Sequence, residues 1–190
     1  MEYNIWKTYG KELWYPRISS YMSGKYSDLI NEMVEVFAYV EPVIKHRNVY
    51  SKKLCSIIIL SSIAFESTIK QLIDNSGLTC SQDIHGYLKF LRDNDDALET
   101  LEVGFSNSEG RFGLVPFKKM NSNDQRPKWW EAYTNLKHGE IANFKDATFE
   151  NTLNAVAANS ILHHKICMKG GGAGIFYNVG IIDTPRPFLF

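Results

Sequence analysis

The stretch from Ser51 to Asp74 constrains the fold more than any other part of this chain. At 3.6 residues per turn its apolar side chains, Leu54, Ile57, Ile58, Leu60, Ile63 and Ile69 among them, spread almost all round the helical wheel. A helix that is apolar on all sides has to be surrounded by other elements, so it predicts a helical bundle with this helix at its centre. Asn75-Ser76-Gly77 closes it, with Gly77 as the C-terminal stop. The longest apolar run, Leu54 to Phe65, is interrupted by Ser56, Ser61 and Ser62. It falls well short of the about 20 residues that a membrane span needs, so no membrane partner is expected.

Other segments repeat the helical pattern. From Ser23 to His46, Leu29, Ile30, Met33, Val36, Phe37 and Val40 recur at three and four, and Pro42 should bend or stop the helix. A shorter helix is predicted from Ser81 to Arg92, followed by the solvated turn Asp93-Asn94-Asp95-Asp96. Gly104, Gly110, Gly113 and Pro116 break up residues 97–126, where Phe112, Leu114, Val115 and Phe117 suggest a short extended segment. Helices follow from Pro127 to His138, with Gly139 as stop, and from Thr148 to Met168, capped by Asp146 or Thr148. The expected architecture is all-α, an up-down bundle of four to five helices over residues 23–168. An aromatic arm, residues 1–22 with Trp6 and Trp14, precedes it, and a glycine-rich irregular tail, residues 169–190, follows it. The arm packs on the body or engages a partner. The glycines of the tail lack the Gly-Lys-Ser/Thr ending of a phosphate loop and read as a linker, and the apolar Ile175 to Phe190, with Pro185 and Pro187, is expected either to return to the body as an extended segment or to pack on a second copy.

The length of 190 residues suits one domain. Lys plus Arg and Asp plus Glu are 21 each, so the whole chain offers no field for a polyanion, and a nucleic-acid partner would need a local basic patch. Cys55, Cys80 and Cys167 are too few and too scattered for a disulfide framework or a zinc site. Cys55 and Cys167 read as core residues, and this usage fits a reducing cytoplasm. The first residues do not form a basic stretch followed by an apolar run, which also points to a cytoplasmic location. His163 and His164 are adjacent and face different ways, so no metal site is expected, and no cofactor motif is present.

The residues that suggest chemistry are on one helix. Trp129, Ala132, Tyr133 and Leu136 form its core stripe. Glu131, Asn135 and His138 line the opposite face, with Trp130 and Lys137 along one edge. Imidazole moves protons near neutral pH. The amide can bond a base edge or ribose, the ammonium can hold a phosphate, and the indole can stack on a base. Arg126 and Lys128 add positive charge at the helix start. Such a set could bind RNA and cleave it without metal, the 2′-hydroxyl attacking its own phosphate. It could equally be an ordinary solvated helix face, with His138 answering the dipole at the C-terminal end. Glu66, on an apolar face of the central helix, either bonds a neighbouring helix as a buried acid or faces an active cleft.

The run Arg126-Pro127-Lys128-Trp129-Trp130-Glu131-Ala132-Tyr133-Thr134-Asn135-Leu136-Lys137-His138, then Phe144-Lys145-Asp146-Ala147-Thr148 and an alanine-rich helix, resembles the two C-terminal helices of HEPN-like bacterial proteins. Phe65-Glu66-Ser67 on a central helix fits the same pattern. The resemblance implies an all-α bundle that forms a homodimer and handles RNA or nucleotides. Many such domains are metal-independent ribonucleases of toxin–antitoxin and defence systems, which would make an antitoxin or defence protein a partner. Others are inactive and serve as dimerisation or scaffold modules. His138 matches the family's histidine, Asn135 its polar residue, and Lys137 supplies charge, with Glu66 and Glu131 in support. The family's arginine is absent: positions 131–133 hold Glu131, Ala132 and Tyr133.

Overall fold

The computed structural model describes residues 15–95, 98–107, 110–118, 126–169 and 182–186. The chain is an all-α bundle with a small sheet at its side. In order it forms α1 (Tyr15–Phe37), α2 (Lys52–Ser76), α3 (Ile84–Asp93), β1 (Glu102–Asn107), β2 (Gly110–Leu114), α4 (Lys128–Asn143), α5 (Phe149–Lys169) and β3 (Ile182–Arg186). Residues 1–14 of the arm and most of the glycine-rich tail lie outside the described residues.

Local chemistry sets the helix ends. Ser51 caps α2, its hydroxyl accepting from the Leu54 N–H at 3.2 Å. Gly77 ends that helix in the left-handed conformation, φ 68°, which a side chain would oppose. Asp83 caps α3, accepting from the Gly86 N–H at 2.8 Å, so this helix starts at Ile84 and not at Ser81. Thr148 accepts from the Asn151 N–H at 3.1 Å just ahead of α5.

α1 departs from expectation at both ends. It begins at Tyr15, so residues 15–22 of the expected arm belong to the helix. Pro16 falls in the first turn, where its missing N–H has no intrahelical partner to lose. The helix ends at Phe37, well before His46. Glu41 precedes a proline, which disfavours helical backbone, Val43 is extended, and Ile44–His46 forms a separate 3-10 turn.

The long helices alternate in direction. Lys53 on α2 pairs with Glu32 and Glu35 near the end of α1, at 2.5 and 2.7 Å. Tyr26 meets Ser160 and His163 on α5, while Phe37 meets Phe149, so α1 runs antiparallel to both α2 and α5. Phe65 on α2 packs on Trp129 and Trp130 in the first turn of α4. α2 and α5 are the parallel diagonal pair. The Thr152 hydroxyl, which donates to the Thr148 carbonyl at 2.9 Å, lies 3.4 Å from the Leu54 carbonyl, and seven residues further on Asn159 Nδ2 donates to the Ser61 carbonyl and hydroxyl, both at 2.8 Å. Buried Ser61, Ala155 and Ala158 let these two helices close together. α2 packs against α1, α4 and α5 and supplies the middle of the core, as its all-round apolar pattern requires. Cys55 is buried within it; the Cys167 side chain lies outside the described residues.

Two sequence expectations need revision here. The segment expected to be irregular with a short extended stretch is a hairpin: β1 and β2 pair antiparallel with Gly104 opposite Gly113, and glycines that exclude a helix are accommodated in facing strands. Residues 182–186 of the tail return to the body as an extended segment, one of the two alternatives read from the sequence, so the tail is not irregular throughout: β3 pairs with the other side of β1 and gives the order β2-β1-β3. Pro185 is tolerated because β3 is an edge strand. The apolar run Leu54–Phe65 also understates its helix: Lys52–Asp74 is 23 residues long and contains a stretch of mean hydropathy 1.4, so it is long and apolar enough to cross a membrane by length and composition. In the bundle three neighbouring helices pack on it, and Leu60 and Ile63 stay exposed.

Candidate functional site at the end of α4

Pro127 leads into α4 with extended backbone, and its carbonyl accepts from the N–H groups of Trp130 (2.9 Å) and Glu131 (3.1 Å). The first turn is fixed from the core. Trp129 is buried, donates from Nε1 to the Pro116 carbonyl at 3.0 Å, and lies edge-on to Phe65 with centroids 5.2 Å apart. Ala132, Tyr133 and Leu136 continue the buried stripe.

Trp130 corrects the sequence reading. It is buried against Phe65, Trp129 and Tyr133, with ring centroids 5.1–5.9 Å away. An indole enclosed by three aromatic rings has no free face on which a base could stack. The sequence places it at the edge of the stripe, and Phe65 of α2 extends the buried zone to cover that edge.

Asn135 is held in place. Its Nδ2 donates to Asp146 Oδ2 at 2.8 Å, and its carbonyl accepts from Asn143 Nδ2 at 3.0 Å. Asn151 Nδ2 donates in turn to the Asp146 carbonyl at 2.9 Å. This network closes the path from α4 through the 3-10 turn Phe144–Asp146 to α5. Gly139 makes it possible. Helical geometry breaks at Gly139 (φ −168°, ψ 63°), and a Cβ there would lie 3.1 Å from Asn143 Nδ2. Gly139 is therefore a break inside α4 and not its end, since helical turns resume up to Asn143.

The remaining candidates spread out around this end. His138 and Glu131 are exposed, and the His138 side chain makes no hydrogen bond among the described residues, so it does not cap the helix. Lys137 is exposed, with Nζ 5.7 Å from the centre of the Tyr133 ring, on the flank away from Asn135. Lys128 is exposed and Arg126 half-buried ahead of the helix. Glu66 is not a buried acid bonded to a neighbouring helix. It is half-buried and bonds Lys70 on its own helix, Oε1 to Nζ at 2.7 Å. The structure thus brings Asn135 to Asp146, leaves His138 and Lys137 facing solvent, and keeps Glu66 on a different helix, engaged with Lys70.

Sequence reasoning reached Asn135 but missed its partner Asn143 and the Asn151 that holds Asp146, and took Asp146 only for a helix cap; that they converge depends on the break at Gly139. Replacing Asp146 by Ala is expected to cost about 1–2 kcal/mol, because it leaves the Asn135 amide without its charged acceptor. Urea denaturation checks this, and a change within about 0.3 kcal/mol would show that the network is ornamental.

A second polar group lies between α1 and α5. Buried His163 stacks on Tyr26, with centroids 4.6 Å apart and planes 17° off parallel, and the Tyr26 hydroxyl donates to Ser160 Oγ at 2.9 Å. Burial, with a smaller contribution from His164, lowers the His163 pKa to about 4, so the ring is neutral. Burial raises the Tyr26 phenol above its ordinary value, opposed by the bond to Ser160. A cavity of ≈ 20 Å³ beside the stack has too little room for a substrate. A larger groove of ≈ 590 Å³ runs along α3 past Cys80, Asp83, His85 and Lys89. Burial and Asp83 raise the Cys80 thiol, which is the wrong direction for a nucleophile.

Comparison with known proteins gives this geometry no relative: no family model, curated protein or solved structure matches the chain.

Proposed function

We propose that the chain is an RNA- or nucleotide-binding helical module of the HEPN type, which contacts its ligand at the outer end of α4. The observation that carries this reading is the exposed pair Lys137 and His138, on a helix end made rigid by the Asn135–Asp146 bond. Rigid support lowers the entropy lost when a flexible ligand is bound. Lys137 offers a point charge to a phosphate and His138 a donor to phosphate or ribose. Asn135 is a positioning residue, since its amide is already bonded to Asp146.

Binding is better supported than cleavage. Metal-free cleavage of RNA needs proton transfer and phosphate stabilisation at one point. In one copy Asn135 faces Asp146 and Lys137 lies on the other flank over Tyr133, so His138 has no second group converging on it among the described residues. The setting in a bacterial defence or toxin–antitoxin system rests on the resemblance alone. A second reading, a non-catalytic module that assembles with protein, is favoured by Leu60 and Ile63, exposed in the middle of α2.

Incubating a mixed-sequence RNA in EDTA with the wild type and with His138→Ala tests this reading. Intact RNA with both proteins is expected. Cleavage by the wild type that is abolished in His138→Ala would place chemistry on this helix and overturn the binding-only account.

A further inference from the structure

The two sides of β1 are paired unequally. On one side β2 runs in unbroken antiparallel register, from Val103 opposite Leu114 to Asn107 opposite Gly110. On the other side β3 sets Ile182 opposite Phe105 and Asp183 opposite Gly104, and then slips. Thr184 and Pro185 together stand against the single residue Val103 before Arg186 meets Glu102, which is a bulge on β3. Pro185 also has no N–H to give to a ladder. Among the described residues this pairing stops at Phe105, short of Ser106 and Asn107.

The hairpin does not depend on β3 for its place. Val103 and Leu114 are buried in the main core, and Phe117, just after β2, packs on Phe65 with ring centroids 5.8 Å apart. β1 and β2 both touch α5, so the edge of β1 and the side of α5 form a slot, and β3 lies in it against both. β3 reaches the slot from the end of α5 through residues 170–181, which begin Gly170-Gly171-Gly172-Ala173-Gly174. A tether of this length and composition presents a strand at an effective concentration of order millimolar, so a short and irregular ladder forms without being strong in itself. A sheet edge beside a helix is the acceptor in β-strand addition, where main-chain bonds give affinity and alternate side chains give selectivity.

We infer that this side of β1 is a docking edge for an extended peptide of a partner protein, added antiparallel, and that β3 is the occupant the chain itself supplies. A peptide without proline pairs along β1 with no slip and displaces β3, which leaves without disturbing the hairpin. The register also sets a charge preference. Arg186 stands opposite Glu102, whose carboxylate fills the space that a side chain at Gly113 would need. The partner peptide therefore carries a cation at that position. This gives the protein-assembly reading a partner of stated chemistry and does not depend on RNA binding.

Fluorescence anisotropy of a labelled peptide of residues 180–188 carrying Pro185→Val, titrated with the full chain, tests the inference. The double variant Ile182→Pro/Asp183→Pro removes whichever of these two N–H groups faces β1 and so releases the edge. It should bind the peptide about 10–100-fold more tightly than the wild type does, the ratio of a millimolar tether to a dissociation constant of roughly 10–100 μM. Its helical circular dichroism should match that of the wild type. Methylating two consecutive backbone nitrogens of the peptide should abolish binding, and Arg186→Glu in the peptide should weaken it about fivefold. Equal affinity of the two proteins, or no binding by either, overturns the inference, as does binding that is indifferent to both changes in the peptide. A wild type that is dimeric and becomes monomeric when the peptide is added also overturns it, by showing that the edge takes the tail of a second copy.

Discussion

Trp129→Ala is expected to remove about 4 kcal/mol of stability, the largest loss from any single change in α4. The side chain is buried, meets Phe65 and Trp130 edge-on, and its Nε1 holds the Pro116 carbonyl. Truncation would leave a cavity where α2, α4 and the segment after β2 meet, and would free a buried carbonyl. Against a total of about 5–15 kcal/mol for a domain, that is a substantial share. Trp129→Phe keeps one aromatic ring but loses the hydrogen bond and part of the indole's volume, so it should cost about 2–3 kcal/mol, less than the truncation. Chemical denaturation of the two variants measures how much of the loss a remaining ring recovers. If Trp129→Ala costs no more than Trp129→Phe, the aromatic cluster does not anchor α4. His138→Ala, on the exposed side of the same helix, should lie within about 0.5 kcal/mol of the wild type.

Acid should weaken the fold through His163. Its folded pKa of about 4 lies below the 6.5 of a solvated histidine, so between these values the unfolded chain binds a proton that the folded chain does not. The neutral buried ring therefore imposes no penalty above about pH 6.5. Stability falls as the pH drops through this window and levels off below about 4, for a total loss of about 2–3 kcal/mol from this residue. His163→Phe keeps a ring against Tyr26 and removes the titration, so its stability should change less across the same window. Stability measured at pH 7 and pH 4.5 in both proteins decides the matter. An equal loss in both would assign the acid sensitivity to other groups.

The parts of the fold legible in the sequence are those set by short-range chemistry. α2 is marked by its all-round apolar pattern, its Ser51 cap and its Gly77 stop, and α5 by its three-and-four spacing. The limits of α1 were less legible, because apolar spacing continues past Phe37 while the backbone leaves the helix before Pro42. The parallel packing of α2 with α5 could not be read, since serines and alanines carry little signal until Asn159 is seen to bond Ser61. In the candidate site, the wheel placed Glu131, Asn135 and His138 away from the core, but it could not show that Asp146 returns to take up Asn135. It also left Trp130 at an edge, and only the approach of Phe65 makes that edge interior.

The central claim, that the outer end of α4 contacts RNA, is tested most directly by fluorescence anisotropy of a labelled single-stranded RNA. The titration is done in EDTA over a range of salt, with the wild type and the Lys137→Ala/His138→Ala double variant. The account predicts saturable binding by the wild type. It also predicts weaker binding by the variant, with a salt slope shallower by about 0.7 for each phosphate that these side chains neutralise in the wild type. Equal binding and equal slopes in the two proteins, or no binding by the wild type at low salt, would contradict it.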